Sequence, residues 1–151
     1  MSRKKWMQGK YVVKNAPKYA GTKTPTYRSS WEFAFCQFCD NHPNVVSWAS
    51  EAIKIPYRHP LTGKATIYVP DFLVVYQDKD GQQRTELIEI KPSSQTTMES
   101  AGKNKQNVAA VAVNMAKWQA ANAWAKRVGI TFRVVTEADI FKNTKSTTKR
   151  K

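Results

Sequence analysis

The sequence is poor in several features that mark common classes of protein. Its two cysteines are too few for a disulfide framework in a chain of 151 residues, which agrees with a reducing environment. The longest apolar run, residues 108–113, is far too short to span a bilayer, and we expect no membrane partner. No apolar segment follows the basic N-terminus, so we expect no secretory signal.

Acidic residues are missing from both ends of the chain. Residues 1–28 contain eight Lys or Arg and residues 142–151 contain five, with no Asp or Glu in either segment. Most of the formal net charge of +14 lies there, because residues 29–141 hold 12 basic and 11 acidic residues. Basic segments bind phosphate chains by releasing condensed counterions, which favours a nucleic acid as partner. We therefore predict a basic N-terminal arm (1–28), a nearly neutral domain (29–141) and a basic C-terminal tail (142–151).

The hydrophobic pattern of the central domain predicts an α/β fold. A capping box begins a first helix at Ser29, and Trp31, Phe35 and Phe38 form its predicted core stripe. Extended segments are predicted at 52–57, 66–69, 72–76, 85–91 and 130–135, a long helix at about 103–128, and a short helix from residue 136. The predicted core has the order α-β-β-β-α-β-α, with a mixed sheet of four to five strands flanked by helices.

The long helix has its own apolar pattern and stop signal. Its predicted apolar positions are Val108, Val111, Met115, Trp118 and Ala125. Gly129 is expected to end it, because glycine readily adopts the left-handed conformation after the last helical residue.

A predicted hairpin brings acidic residues together. If the hairpin is centred on Asp80, Asp71 lies opposite Glu89, and a shift of half a residue places it opposite a neighbouring isoleucine. Glu89 and Lys91 share one strand face, about 6.5–7 Å apart along the strand. Three interpretations stay open at this point: a surface salt bridge, an accident of strand alternation, or a site for a hard divalent ion.

The two parts of this hairpin resemble the signature of the PD-(D/E)XK nucleases. Pro70-Asp71 matches the first part of the signature, and Glu89-Ile90-Lys91 matches the second. The resemblance implies a restriction-endonuclease-like core and Mg2+ (or Mn2+) held by Asp71, Glu89 and the main-chain carbonyl of Ile90. It also implies that Lys91 positions the attacking water. Many members supply a further acid from the first helix, where Glu32 is both a candidate catalytic ligand and a candidate helix cap.

A narrower resemblance covers nearly the whole chain. The segments 28–32, 69–72, 89–92 and 134–137 are similar to the head completion nucleases of contractile-tailed bacteriophages, and more distantly to TnsA-type nucleases. The resemblance implies a DNA nuclease that acts on the packaged genome end, or at the neck, before tail joining. The implied partners are double-stranded DNA and portal or tail-joining proteins. The implied location is the virion, or the host cytoplasm during assembly.

The candidate DNA contacts lie mostly in the basic segments. They are Arg3, Lys4, Lys5, Arg28, Lys103, Lys105, Gln106, Lys149, Arg150 and Lys151. A solvated helix end explains residues 103–106 equally well. For the arm aromatics, Trp6, Tyr11, Tyr19 and Tyr27, packing on the domain is favoured over stacking on bases.

Three alternatives remain at the level of the sequence. Cys36, Cys39, His42 and His59 offer zinc-type ligands, but cysteines inside a helix are better explained as core residues. The protein could instead be a DNA-binding neck protein that does not cut, although the intact Asp71, Glu89 and Lys91 speak against this. A transposon-end or junction-type endonuclease of the same fold is the third alternative.

Deletion of residues 142–151 is expected to weaken DNA binding, because five cations are lost. Fluorescence anisotropy with a labelled duplex at several salt concentrations measures this, and the slope of log K against log salt should become flatter. An unchanged slope would show that the tail contacts proteins instead.

Overall fold

Two helices pack on opposite faces of a central mixed sheet. The computed structural model describes residues 8–92, 102, 104–136 and 139. The elements are β1 (Gly9–Lys10), β2 (Thr26–Tyr27), α1 (Ser30–Asn41), β3 (Val45–Ser50), β4 (Ile55–Arg58), β5 (Ala65–Tyr68), β6 (Phe72–Gln77), β7 (Gln83–Ile90), α2 (Lys105–Val128) and β8 (Thr131–Val135). The sheet order is β3-β6-β7-β8, and only the β7–β8 pair is parallel.

The edge strand β3 was not predicted from the sequence. A register irregularity between Val45 and Ser47 breaks the alternation of buried and exposed residues that normally marks a strand. The predicted strands at 52–57 and 66–69 correspond to β4 and β5, which pair with each other and not with the main sheet. The prediction of a mixed α/β sheet is confirmed, although β3 was missed and the predicted strands at 52–57 and 66–69 form a separate pair.

Helix α1 begins as the capping box predicts. The Ser29 hydroxyl accepts a hydrogen bond from the Glu32 N–H at 3.2 Å. Phe35, Cys36 and Cys39 are buried against β3, β6 and β7. Phe38 was expected in the core but is 37% exposed, because it lies near the end of the helix at the mouth of a cleft.

The β6–β7 hairpin has the predicted register. Phe72 pairs with Ile88, and continuing this pairing by one residue places Asp71 opposite Glu89. Gly81 has a φ of 80° in the turn, a backbone conformation that residues with a side chain rarely adopt. Along β7, Leu87 packs towards α2 while Ile88 and Ile90 pack towards α1. Glu89 therefore faces the α2 side of the sheet.

Helix α2 is bounded by two local signals. The Asn104 side chain accepts from the Asn107 N–H at 3.0 Å, and Gly129 ends the helix with a φ of 83°. Met115 was expected in the core but is 53% exposed, since the buried stripe instead passes through Val111, Asn114, Ala121 and Ala125. The predicted short helix from residue 136 lies largely outside the described residues. Within the described residues, no helix is long and apolar enough to cross a membrane.

A buried carboxylate fastens the N-terminal segment to α1. Asp40 is fully buried and accepts hydrogen bonds from the Tyr11 hydroxyl and from the backbone N–H groups of Lys14 and Asn15, at 2.8–3.0 Å. Burial alone raises the pKa of Asp40, but these hydrogen bonds outweigh it and leave the pKa below its usual value. Tyr11, Tyr19 and Tyr27 also pack on aromatic rings of α1 or β3, so the predicted packing role is confirmed for these three. Trp6 lies outside the described residues.

Removal of the Tyr11 hydroxyl by Tyr11→Phe should lower the free energy of unfolding by about 1–2 kcal/mol, because it leaves a buried carboxylate oxygen with one donor fewer. Asp40→Asn should cost more, about 3 kcal/mol, since an amide group cannot accept from all three donors. Urea unfolding at pH 7 measures both, and equal stability of Asp40→Asn and wild type would contradict the prediction.

The effect of Asp40→Asn should also depend on pH in one direction. A carboxylate with a lowered folded-state pKa stabilises the protein above its unfolded-state pKa, and this contribution is lost as the pH falls through the folded-state pKa. The difference between variant and wild type should therefore shrink below about pH 4.

Candidate active site

Asp71 and Glu89 lie together at one end of the β6–β7 hairpin. Asp71 immediately precedes β6, and its Oδ2 accepts a hydrogen bond from the Ile90 N–H at 2.8 Å. Glu89 lies within β7 and is only 5% exposed. The backbone of β7, the strand that carries Glu89, thus holds the Asp71 carboxylate in place.

Two further side chains orient the Glu89 carboxylate. The Tyr68 hydroxyl, at the end of β5, donates to Glu89 Oε1 at 2.8 Å. The Lys91 Nζ lies 3.6 Å from Glu89 Oε2, as the shared strand face predicts. Both oxygens of Glu89 therefore have a partner, and the ammonium of Lys91 is held at the site.

The electrostatics of the site are those of crowded negative charge. Burial, and then the charges of Glu89 and Glu32, raise the pKa of Asp71 well above its usual range. Burial also raises the pKa of Glu89, against the lowering effect of Lys91 and Tyr68. Burial is thus the main cause of both raised pKa values, and the neighbouring ammonium groups of Lys91 and Lys117 only partly offset it at Glu89.

Glu32 faces the same cluster from the first turn of α1. Its Oε1 accepts from the Arg28 N–H at 3.1 Å, one residue before the N-cap of the predicted capping box. Burial first, and Glu89 among the further causes, raise the pKa of Glu32. The carboxylate therefore binds the chain one residue before the N-cap, while the Ser29 hydroxyl caps the helix, and it also contributes charge to the site.

A strained residue supports Arg28 beside these acids. Glu51 has a φ of 51°, the one positive value among the described residues other than glycine. Its backbone N–H donates to the carbonyl of Asp71 at 2.9 Å, while its carboxylate binds Arg28 and Lys23. Such backbone strain often lies at functional sites, and here the strained residue, Glu51, forms ion pairs with Arg28 and Lys23.

Lys117 approaches the site from α2, which sequence reasoning missed. Its Nζ lies 5.5 Å from the centre of the Tyr68 ring. The signal in the sequence was weak, because Lys117 is a polar residue three positions after Asn114 and four before Ala121, beside the buried stripe. Tyr68 and Glu51 had no local signal, since only the tertiary fold brings them to the hairpin end.

The residues present fit a hard divalent ion held by few side chains. In the described part of the chain, no group of three or more His, Cys, Asp or Glu is placed to hold a metal ion. Asp71 and Glu89 offer carboxylate oxygens, and Mg2+ commonly takes one or two carboxylates with water and phosphate.

The alternative zinc site is not assembled. Cys36 and Cys39 are free and fully buried in α1, as expected for core residues. The Nδ1 atoms of His42 and His59 each accept a hydrogen bond from a nearby backbone N–H.

The predicted DNA contacts are only partly described. Arg28 lies beside Glu32 and Glu51, and Lys105 and Gln106 are exposed in the first turn of α2. The remaining candidates, Arg3, Lys4, Lys5, Lys103, Lys149, Arg150 and Lys151, fall outside the described residues.

Comparisons with known proteins agree with this geometry. Residues 42–137 match the model of the TnsA-like endonuclease N-terminal family, whose domain has the restriction-endonuclease-like fold. The chain is also 37% identical over 139 residues to the head completion nuclease of Enterobacteria phage T4, covering 85% of this chain and 90% of that protein. The chain therefore belongs to the TnsA-like endonuclease family and to the family of phage head completion nucleases.

Proposed function

We propose that this protein is a metal-dependent DNA endonuclease that hydrolyses phosphodiester bonds during phage head completion. The observation that carries the proposal is the pair of carboxylates at the hairpin end, the half-buried Asp71 and the buried Glu89, with Lys91 beside them. Its relative is named a head completion nuclease, which supports the biological setting. In this setting of phage head completion, the proposed substrate is double-stranded DNA at the packaged genome end, and the proposed partners are portal or tail-joining proteins. We place the reaction in the host cytoplasm or in the assembled virion.

The side chains of the site have different roles in the proposed hydrolysis. Asp71 and Glu89, with the carbonyl of Ile90, would hold Mg2+ or Mn2+, and Glu32 would hold a second ion or the surrounding water. The bound ion supplies positive charge to the phosphate and lowers the pKa of water. Lys91 orients the attacking water in line with the phosphodiester bond and balances the phosphate charge. Tyr68 and the Ile90 N–H keep the two carboxylates in place.

Arg28 and the basic segments would hold the DNA. Arg28 lies beside the carboxylates and is fixed by Glu51, so it can contact a phosphate near the cleavage point. Contacts of this kind set the position of DNA without reading its sequence.

Cleavage of supercoiled and linear DNA tests the proposal. Wild-type protein should nick or cut DNA with Mg2+ or Mn2+ and not with EDTA. Lys91→Ala and Asp71→Ala should lower the rate by about 10²-fold or more, because the first removes the ammonium that balances the phosphate charge and the second removes a ligand of the divalent ion. Lys79→Ala, an exposed lysine at the far end of the hairpin, is the matched control and should cut normally.

If folded wild-type protein cuts no DNA with either ion, the enzyme proposal is wrong. DNA binding without cleavage would then favour the alternative of a structural neck protein.

Asp71→Asn should stabilise the metal-free protein at pH 7–8, since it removes one of several buried like charges. The sign follows from the raised folded-state pKa: the protonated group is stabilising below its unfolded-state pKa, and this is lost as the pH rises through the folded-state pKa. Addition of Mg2+ should raise Tm of wild type and not of Asp71→Asn, because an ion that binds only the folded state stabilises it. An equal Mg2+ effect on both proteins would contradict a metal site at Asp71.

A further inference from the structure

Lys117 occupies an unusual place for a lysine. It projects from the middle of α2 and is half-buried beside the candidate active site. Its ammonium lies 5.5 Å from the centre of the Tyr68 ring, and the hydroxyl of that ring donates to Glu89. The ammonium therefore faces the same end of the sheet as Asp71, Glu89 and Lys91.

Among the described residues, no carboxylate forms an ion pair with Lys117. The ion pairs found within 4.0 Å in the described residues involve Lys23, Arg28, Arg84, Lys91 and Arg133. Glu89, the acid on that side, is already bound by Tyr68 and Lys91. Burial first, and then the charge of Lys91, lower the pKa of Lys117, whereas the charges of Glu89 and Asp71 partly offset them.

A bound anion would give the Lys117 ammonium an ion-pair partner. The ammonium groups of Lys91 and Lys117 are close enough for their charges to interact, and a phosphate near both would be attracted by each of them. The ring contact with Tyr68 compensates part of the cost of withdrawing Lys117 from water, but it leaves the ammonium hydrogens able to donate.

We propose that Lys117 is a second phosphate-binding ammonium of this site, which together with Lys91 contacts a phosphodiester group of the bound DNA strand. The inference rests on the proposed nuclease function and adds to it a residue from α2. It differs from a structural role, in which Lys117 acts only by packing on Tyr68 and orienting Glu89.

The test compares Lys117→Met and Lys117→Arg with Lys126→Met. Lys126 is exposed in the last turn of the same helix and serves as the matched control. Binding of a short duplex is measured in EDTA at several salt concentrations, cleavage is measured with Mg2+ as kcat and KM, and Tm is measured for each variant.

Lys117→Met should reduce kcat/KM by about 10–100-fold and flatten the slope of log K against log salt by about 0.9, because one phosphate contact is lost. Its Tm should change little, since the cost of half-burying the ammonium is removed together with its attraction to Glu89 and Asp71. Lys117→Arg should keep most of the salt slope, and Lys126→Met should resemble wild type in all three measurements.

Three outcomes would overturn the inference. Lys117→Met could cleave DNA like wild type with an unchanged salt slope, or Lys126→Met could flatten the slope as much as Lys117→Met does. Lys117→Met could also lose cleavage rate and Tm while its salt slope stays unchanged. The last outcome would assign Lys117 the structural role. If wild type itself cuts no DNA, the proposed function fails, but the salt slopes in EDTA still decide whether Lys117 contacts phosphate.

Discussion

The pairing of β6 with β7 brings two carboxylates of like charge to one end of the sheet, and the rest of the site depends on it. The hydrogen bond from the Ile90 N–H to Asp71 ties the start of one strand to the end of the other. Because the register is fixed along the whole hairpin, neither acid can move away from its neighbour without breaking the sheet. The fold therefore imposes the charge repulsion that makes the site suited to a cation.

A comparison with Asp40 shows how differently the same chemical group can be used. Asp40 is fully buried, but three donors surround it and its pKa lies below the usual value. Asp71 faces other acids, and its pKa is raised. The first carboxylate fastens the N-terminal segment to α1, whereas the second is kept at an energetic cost. Natural proteins commonly accept such costs where function requires them.

Cations surround the acidic centre from different elements of the fold. Arg28 is fixed on one approach by Glu51, which adopts a left-handed conformation to reach it. Lys91 directly follows β7, and Lys117 lies in α2. This arrangement of acids with basic neighbours agrees with the proposed function, in which the cations would hold a phosphate chain and the acids a divalent ion.

The amino-acid sequence alone determined the local features, because their signals are short in range. The Ser29 cap, the Gly129 stop and the centring of the hairpin on Asp80 each depend on neighbouring residues, and so did the placement of Asp71 opposite Glu89. The bulged strand β3 gave no regular alternation, so its place at the sheet edge was hidden. Tyr68, Glu51 and Lys117 reach the site only through packing between distant elements. Their roles were decided by the tertiary structure, since periodicity predicts the face a residue occupies but not what lies across from it.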